Sequence, residues 1–169
     1  MLRLFVKTFK TGVVTERIKR PETSELEELG IEVKRHIDKY FSGSLAIRAV
    51  DAGSCNGCEL EIHALNNPLY DVERYGIHFV TSPRHADVLL VTGVVSRHMQ
   101  TALLRTYEAT PSPKWVVAAG DCAACGGEFG VSYASCGAVE NVIPVDLLIK
   151  GCPPTPEVLV KGLLSLMKK

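Results

Sequence analysis

Several features are scarce in this 169-residue chain, and each scarcity excludes something. No run of about 18 apolar residues occurs, so nothing in the sequence reads as a bilayer-spanning helix. Lys plus Arg and Asp plus Glu balance at 19 each, which removes the bulk basicity expected of a nucleic-acid binder. Aromatic residues are only 7% of the chain, too few to furnish a base-stacking surface. No repeat or low-complexity tract is present. The first residues lack a continuous apolar core followed by small residues at a cleavage site, so no secretory signal is expected. What is present is ordinary for a globular protein: 46% apolar and 22% charged residues, in a length that suits one compact domain.

Cysteine is the exception, with six. Without a secretory signal, a reducing compartment is the better expectation, and there cysteines more often bind metal than pair as disulfides. Four of them stand in glycine- and proline-rich contexts: Gly53-Ser54-Cys55-Asn56-Gly57-Cys58-Glu59, Gly120-Asp121-Cys122 and Gly151-Cys152-Pro153-Pro154.

The region before residue 45 differs from the rest. Leu2, Phe5 and Phe9 recur at helical spacing among Arg3, Lys7 and Lys10, which predicts a short amphipathic helix. A second helix is expected after Pro21, with Thr23 or Ser24 as N-cap and Glu27 completing a capping box. It is expected to run to Leu29, with Gly30 as its end, and to resume from Ile31 to Phe41. Residues 1–44 read as a helical arm that docks on a partner or a membrane surface. The alternative is a helix packed on its own domain.

From residue 45 to residue 169 strands and helices alternate. Strands are expected at Leu45–Val50, Ile77–Thr81, Val88–Thr92, Trp115–Ala119 and Val145–Ile149. Helices are expected at Cys58–Asn66, Ser96–Glu108 and Glu157–Met167, the last with Pro156 in its first turn. This alternation predicts an α/β domain of flavodoxin-like type: an open, mostly parallel sheet with helices on both faces, preceded by the helical arm. In such sheets ligands bind beyond the carboxyl ends of the strands. All three cysteine motifs directly follow an expected strand.

Four thiolates gathered there suit a metal centre. Cys55 and Cys58, three residues apart, can share one cluster, and the Gly-Cys-Pro step resembles those beside iron–sulfur clusters. Tetrahedral zinc is the alternative, although zinc ribbons usually pair two Cys-x-x-Cys knuckles. Cys122-Ala123-Ala124-Cys125 is itself such a pair, so a site without Cys152, or a thioredoxin-like redox pair, stays open. For Cys125 and Cys136 the plain reading is small buried side chains.

Beyond the cysteines, Ser82-Pro83-Arg84-His85-Ala86-Asp87 and Ile143-Pro144-Val145-Asp146 complete an ordered set of motifs. Over residues 45 to 165 the chain resembles the small subunit of energy-converting membrane-bound [NiFe] hydrogenases, the formate hydrogenlyase small subunit included. That group is homologous to the 20 kDa subunit of respiratory complex I. The complex I subunit carries two adjacent cysteines where this chain has Cys55-x-x-Cys58, so the hydrogenase branch is the nearer match. The resemblance implies one [4Fe–4S] cluster held by Cys55, Cys58, Cys122 and Cys152, with no ligand role for Cys125 or Cys136. It implies a cluster-bearing subunit of an oxidoreductase complex, without a catalytic centre of its own. Electrons would pass from ferredoxin-like subunits to the [NiFe] site of a partner large subunit, for proton reduction or hydrogen oxidation in an ion-pumping complex with membrane-embedded subunits. Such a chain would lie peripherally on the cytoplasmic side of the cell membrane, held by its partners. The complex I-like alternative delivers electrons to quinone or a sulfur acceptor; an alternative of another class is a structural zinc or interaction module. The resemblance also puts Arg84 near the cluster and partner, with an Arg84–Asp87 ion pair as the plain alternative. Glu59 and Glu61 read as proton relays, partner contacts or surface carboxylates favoured by a helix N-terminus.

Overall fold

The computed structural model describes residues 2–11 and 25–168. The expected caps Thr23 and Ser24, with Pro21, lie outside the described residues. Helix α1 covers Leu2–Thr11 and α2 covers Glu25–Tyr40. Alternation then follows as β1 Leu45–Asp51, α3 Gly57–Ala64, β2 Ile77–Phe79, β3 Val88–Thr92, α4 Arg97–Ala109, β4 Trp115–Ala119, α5 Asp121–Cys125, β5 Leu147–Ile149 and α6 Pro156–Met167.

The five strands form one all-parallel sheet in the order β2-β1-β3-β4-β5, the flavodoxin-like order. β3 and β4 are apolar but for Thr92 at the end of β3, because both their faces are covered. Successive side chains on a strand point to opposite faces, so each strand feeds two cores. Leu90, Val117 and Ile47 face Val33 and Ile37 of α2, Ile62 of α3 and Leu159 and Leu163 of α6. Leu89, Val91, Val116 and Ala118 face Leu103 of α4 together with Val139 and Ile143. Ser96 caps α4, its Oγ accepting from the Met99 N–H at 3.3 Å.

The second helix departs from expectation. α2 is continuous through Gly30, which is buried against the Tyr75 ring; any Cβ at that position would overlap the ring. Close approach to an aromatic side chain, and not a helix stop, is why glycine stands there. Val33 and Ile37 are fully buried in the core shared with Leu45 and Ile47, so α2 packs on its own domain.

Two strands are shorter than expected. β2 ends at Phe79, and the chain turns at Ser82, whose Oγ accepts from the Arg84 N–H at 3.4 Å in a 3-10 turn opened by Pro83. β5 starts at Leu147 because Asp146 is spent on an edge contact: its carboxylate accepts from Val116 N–H at 2.8 Å while its own N–H donates to Val116 O at 2.9 Å. Asp87 does the same before β3, its carboxylate accepting from Ala46 N–H at 2.9 Å and its N–H donating to Ala46 O at 2.8 Å. Both aspartates tie neighbouring strands at the amino end of the sheet and leave its carboxyl end for the site. No helix among the described residues is long and apolar enough to cross a membrane.

Candidate metal centre

The site is built from three loops at the carboxyl edge of β1, β4 and β5. After β1, Asp51 Oδ1 accepts from the N–H groups of Gly53 and Ser54, both at 2.8 Å, which folds the chain back at once. Ser54 Oγ accepts from Asn56 N–H at 3.1 Å, and Asn56 takes a left-handed conformation (φ 70°) before α3 begins. This turn puts Cys55 ahead of the helix and Cys58 in its first turn.

After β4, Gly120 has φ 91°, and a Cβ on it would sit 2.6 Å from Cys58 Sγ. Only glycine lets the β4 loop pass that closely under the Cys58 sulfur. Cys122 follows on α5, a single turn.

The β5 loop is clamped to the β4 loop at both ends of one residue. Asp121 N–H donates to Gly151 O at 2.9 Å, and Gly151 N–H donates to Asp121 Oδ1 at 2.9 Å. Gly120 N–H also donates to Ile149 O at 2.8 Å. These bonds hold Cys152, at a cis Cys152–Pro153 peptide, beside Cys122.

As a result Cys55, Cys58, Cys122 and Cys152 line one cleft of about 160 Å³, together with Gly57, Gly151 and Pro153. Cys125 and Cys136 do not line it. Cys136 is buried in the core on the α4 face, as expected. Cys125 is exposed and not buried: it ends α5 one turn beyond Cys122, and its thiol donates to Asp121 O at 3.2 Å. The structure therefore brings Cys152 to Cys122 and turns Cys125 away.

Burial pushes the Cys58 thiol up to about 11, with further upward pressure from Glu59, Cys55, Cys122 and Cys152. Burial also raises Cys122, followed by Cys152, Cys55, Asp121 and Cys125. Four thiols this close resist ionising together until a cation offsets their mutual repulsion. Among the described residues no group of three or more His, Cys, Asp or Glu is closed enough to hold a metal ion. The donor set itself, four thiols on one cleft, has the chemistry of a tetrahedral four-cysteine zinc site or of an iron–sulfur cluster.

Other residues take different positions. Glu59 is half-buried, its carboxylate hydrogen-bonded to the Thr92 hydroxyl, and its second oxygen is buried without a partner, so it is no surface carboxylate. Arg84 is exposed on the turn that rejoins the sheet at Ala46 and does not line the cysteine cleft, and Asp87 is occupied by Ala46 N–H. The expected Arg84–Asp87 ion pair does not form. Sequence reasoning assigned no role to Asp51 and Asp121, which shape the loops; an aspartate two residues before glycine, and one directly after glycine, were the available signals.

Residues 55–166 match the family described as NADH ubiquinone oxidoreductase, 20 Kd subunit. The chain belongs to that family. It is 42% identical to formate hydrogenlyase subunit 7 of Escherichia coli K12 over 84% of its own length, and spans 56% of the length of that protein. It is 43% identical to a probable membrane-bound hydrogenase subunit of Pyrococcus furiosus, over 78% of each chain. Among solved structures it is similar to a chain of an archaeal membrane-bound sulfane sulfur reductase, with 34% identity, a TM-score of 0.65, and coverage of 86% of this chain and 75% of that one. The expected kinship with hydrogenase and complex I subunits thus holds, and these relatives are parts of oxidoreductase complexes.

Proposed function

We propose that this chain is the electron-transfer subunit of a membrane-bound, ion-pumping complex of hydrogenase type, and that Cys55, Cys58, Cys122 and Cys152 hold one [4Fe–4S] cluster. The observation that carries this reading is the shared cleft: these four thiols, drawn from three loops, line it, and the other two cysteines do not. When bound, the cluster supplies one-electron transfer between a ferredoxin-like subunit and the [NiFe] site of a partner large subunit. The chain's own residues set the position of that transfer. Asp121 fixes the separation of the Cys122 and Cys152 loops, Asp51 folds the Cys55 loop, and Gly120 admits the Cys58 sulfur. Partner subunits, some of them membrane-embedded, hold the chain on the cytoplasmic side of the membrane.

The test is iron and sulfide analysis of the anaerobically purified complex, with EPR after reduction. One cluster's iron and sulfide, in equal amounts, and its EPR signal are expected to be lost from the complex in Cys152→Ser and kept in Cys125→Ser and Cys136→Ser. Zinc with no paramagnetic signal overturns the reading, and a retained cluster in Cys152→Ser overturns the ligand assignment. A second reading, delivery to quinone or a sulfur acceptor, is favoured by the likeness to a chain of a sulfane sulfur reductase. Two Cys-x-x-Cys pairs in the partner large subunit, with hydrogen-dependent reduction, decide for the hydrogenase; their absence decides for the second reading.

A further inference from the structure

Charge balance in the whole chain hides a local imbalance. Residues 1–20 contain six basic residues (Arg3, Lys7, Lys10, Arg17, Lys19 and Arg20) and one acidic residue, Glu16. The first ten of them are nearly all helix, in α1. At about 100° per residue, Val6 and Phe9 fall in one arc of about 60°, and Lys7 and Lys10 in an adjoining arc of about 60°. Phe9 is 87% exposed and Val6 50% exposed, so at these positions the apolar arc is not packed on the domain. α2, by contrast, spends its apolar face on the core.

We propose that α1 is an interfacial helix that binds an anionic lipid surface directly, its apolar arc in the acyl boundary and its basic arc on the headgroups. Lipid fits better than a protein groove because cations border the apolar arc and no acidic residue interrupts it before Glu16; that is the charge pattern of a helix lying in a negatively charged interface. Ten residues are far too few to span a bilayer, which needs about 20, so the helix lies on the membrane and does not cross it. The relatives include a probable membrane-bound hydrogenase subunit and a chain of a membrane-bound reductase, which places such a surface within reach. One amphipathic helix is a weak anchor alone, and it supplements the hold of partner subunits. This inference uses no property of the cysteine cleft.

The test is co-sedimentation of the full chain with vesicles of phosphatidylcholine alone or mixed with phosphatidylglycerol. Binding is expected only to the mixed vesicles, and it should weaken at least about tenfold in a Lys7→Glu/Lys10→Glu double variant. Phe9→Asp should weaken it comparably, while Lys161→Glu, an exposed charge on α6, should leave it unchanged. Melting curves that match the parent chain show that the variants fold, and iron content measured on the same samples reads the cluster separately. Equal binding to both vesicle types overturns the proposal, as does a Phe9→Asp variant that binds as tightly as the parent. A full chain that ignores vesicles yet still joins its complex also overturns it, and assigns α1 to a protein partner.

Discussion

The Cys58 sulfur lies against Gly120, under the first turn of α3, and its burial has a measurable consequence. Its thiol is raised from 9.0 to about 11, mainly by loss of solvent and then by Glu59 and the other cleft cysteines. A raised acid binds its proton more tightly in the folded chain than in the unfolded one. The contribution to stability is therefore fully present below pH 9 and is lost as pH rises through about 11. In metal-free protein, alkylation follows the thiolate. Peptide mapping after iodoacetamide treatment should show modification of Cys58 climbing near pH 11; a climb centred at or below 9 contradicts the burial argument. Because ligand thiols must be deprotonated, loading the site releases protons and is favoured by higher pH in the neutral range.

At the scale of elements, the contact between α2 and the turn at Val72–Tyr75 depends on one missing methyl group. Gly30→Ala would ordinarily favour a helix by up to about 1 kcal/mol. Here the new Cβ meets the Tyr75 ring, which is itself buried at the core's edge. Overpacking of this kind costs about 1–3 kcal/mol, so the net effect is destabilising. Urea unfolding of Gly30→Ala should show a lower midpoint with an unchanged slope, and an unchanged or higher midpoint would mean that Tyr75 yields freely. The Asp87 and Asp146 contacts are the counterpart at the amino edge, where each carboxylate satisfies an N–H of the neighbouring strand.

Across the whole molecule the cleft joins positions nearly a hundred residues apart, from Cys55 to Cys152. A group bound only by the assembled loops stabilises the folded state by mass action and cross-links distant segments. On the proposed cluster assignment, treatment with an oxidant and chelator should lower the midpoint of thermal unfolding by several degrees, on the order of 4–8 °C per kcal/mol lost in a domain of about 100 residues and less in a longer one. Calorimetry before and after removal checks this, and an unchanged midpoint would mean that the loops hold no such group.

Much of this was legible along the chain, for local reasons. β3 and β4 are apolar runs broken only by the terminal Thr92, and each is legible to the residue because burial on both faces leaves no room for polar alternation. The three cysteine motifs could be placed after strands because strand ends and glycine turns are short-range signals. Gly30, α5 and the exposure of Cys125 were not legible, since each depends on what packs beside it. By itself the sequence determined a parallel α/β domain with thiols at one edge of its sheet. Spacing alone left open which four share a cleft; the family resemblance implied the set, and the tertiary structure shows the geometry that gathers it. β5 pairs with β4, and the Asp121–Gly151 clamp draws Cys152 to Cys122, while one turn of helix carries Cys125 out to solvent. Strand order is a non-local property, and no spacing within a loop encodes it.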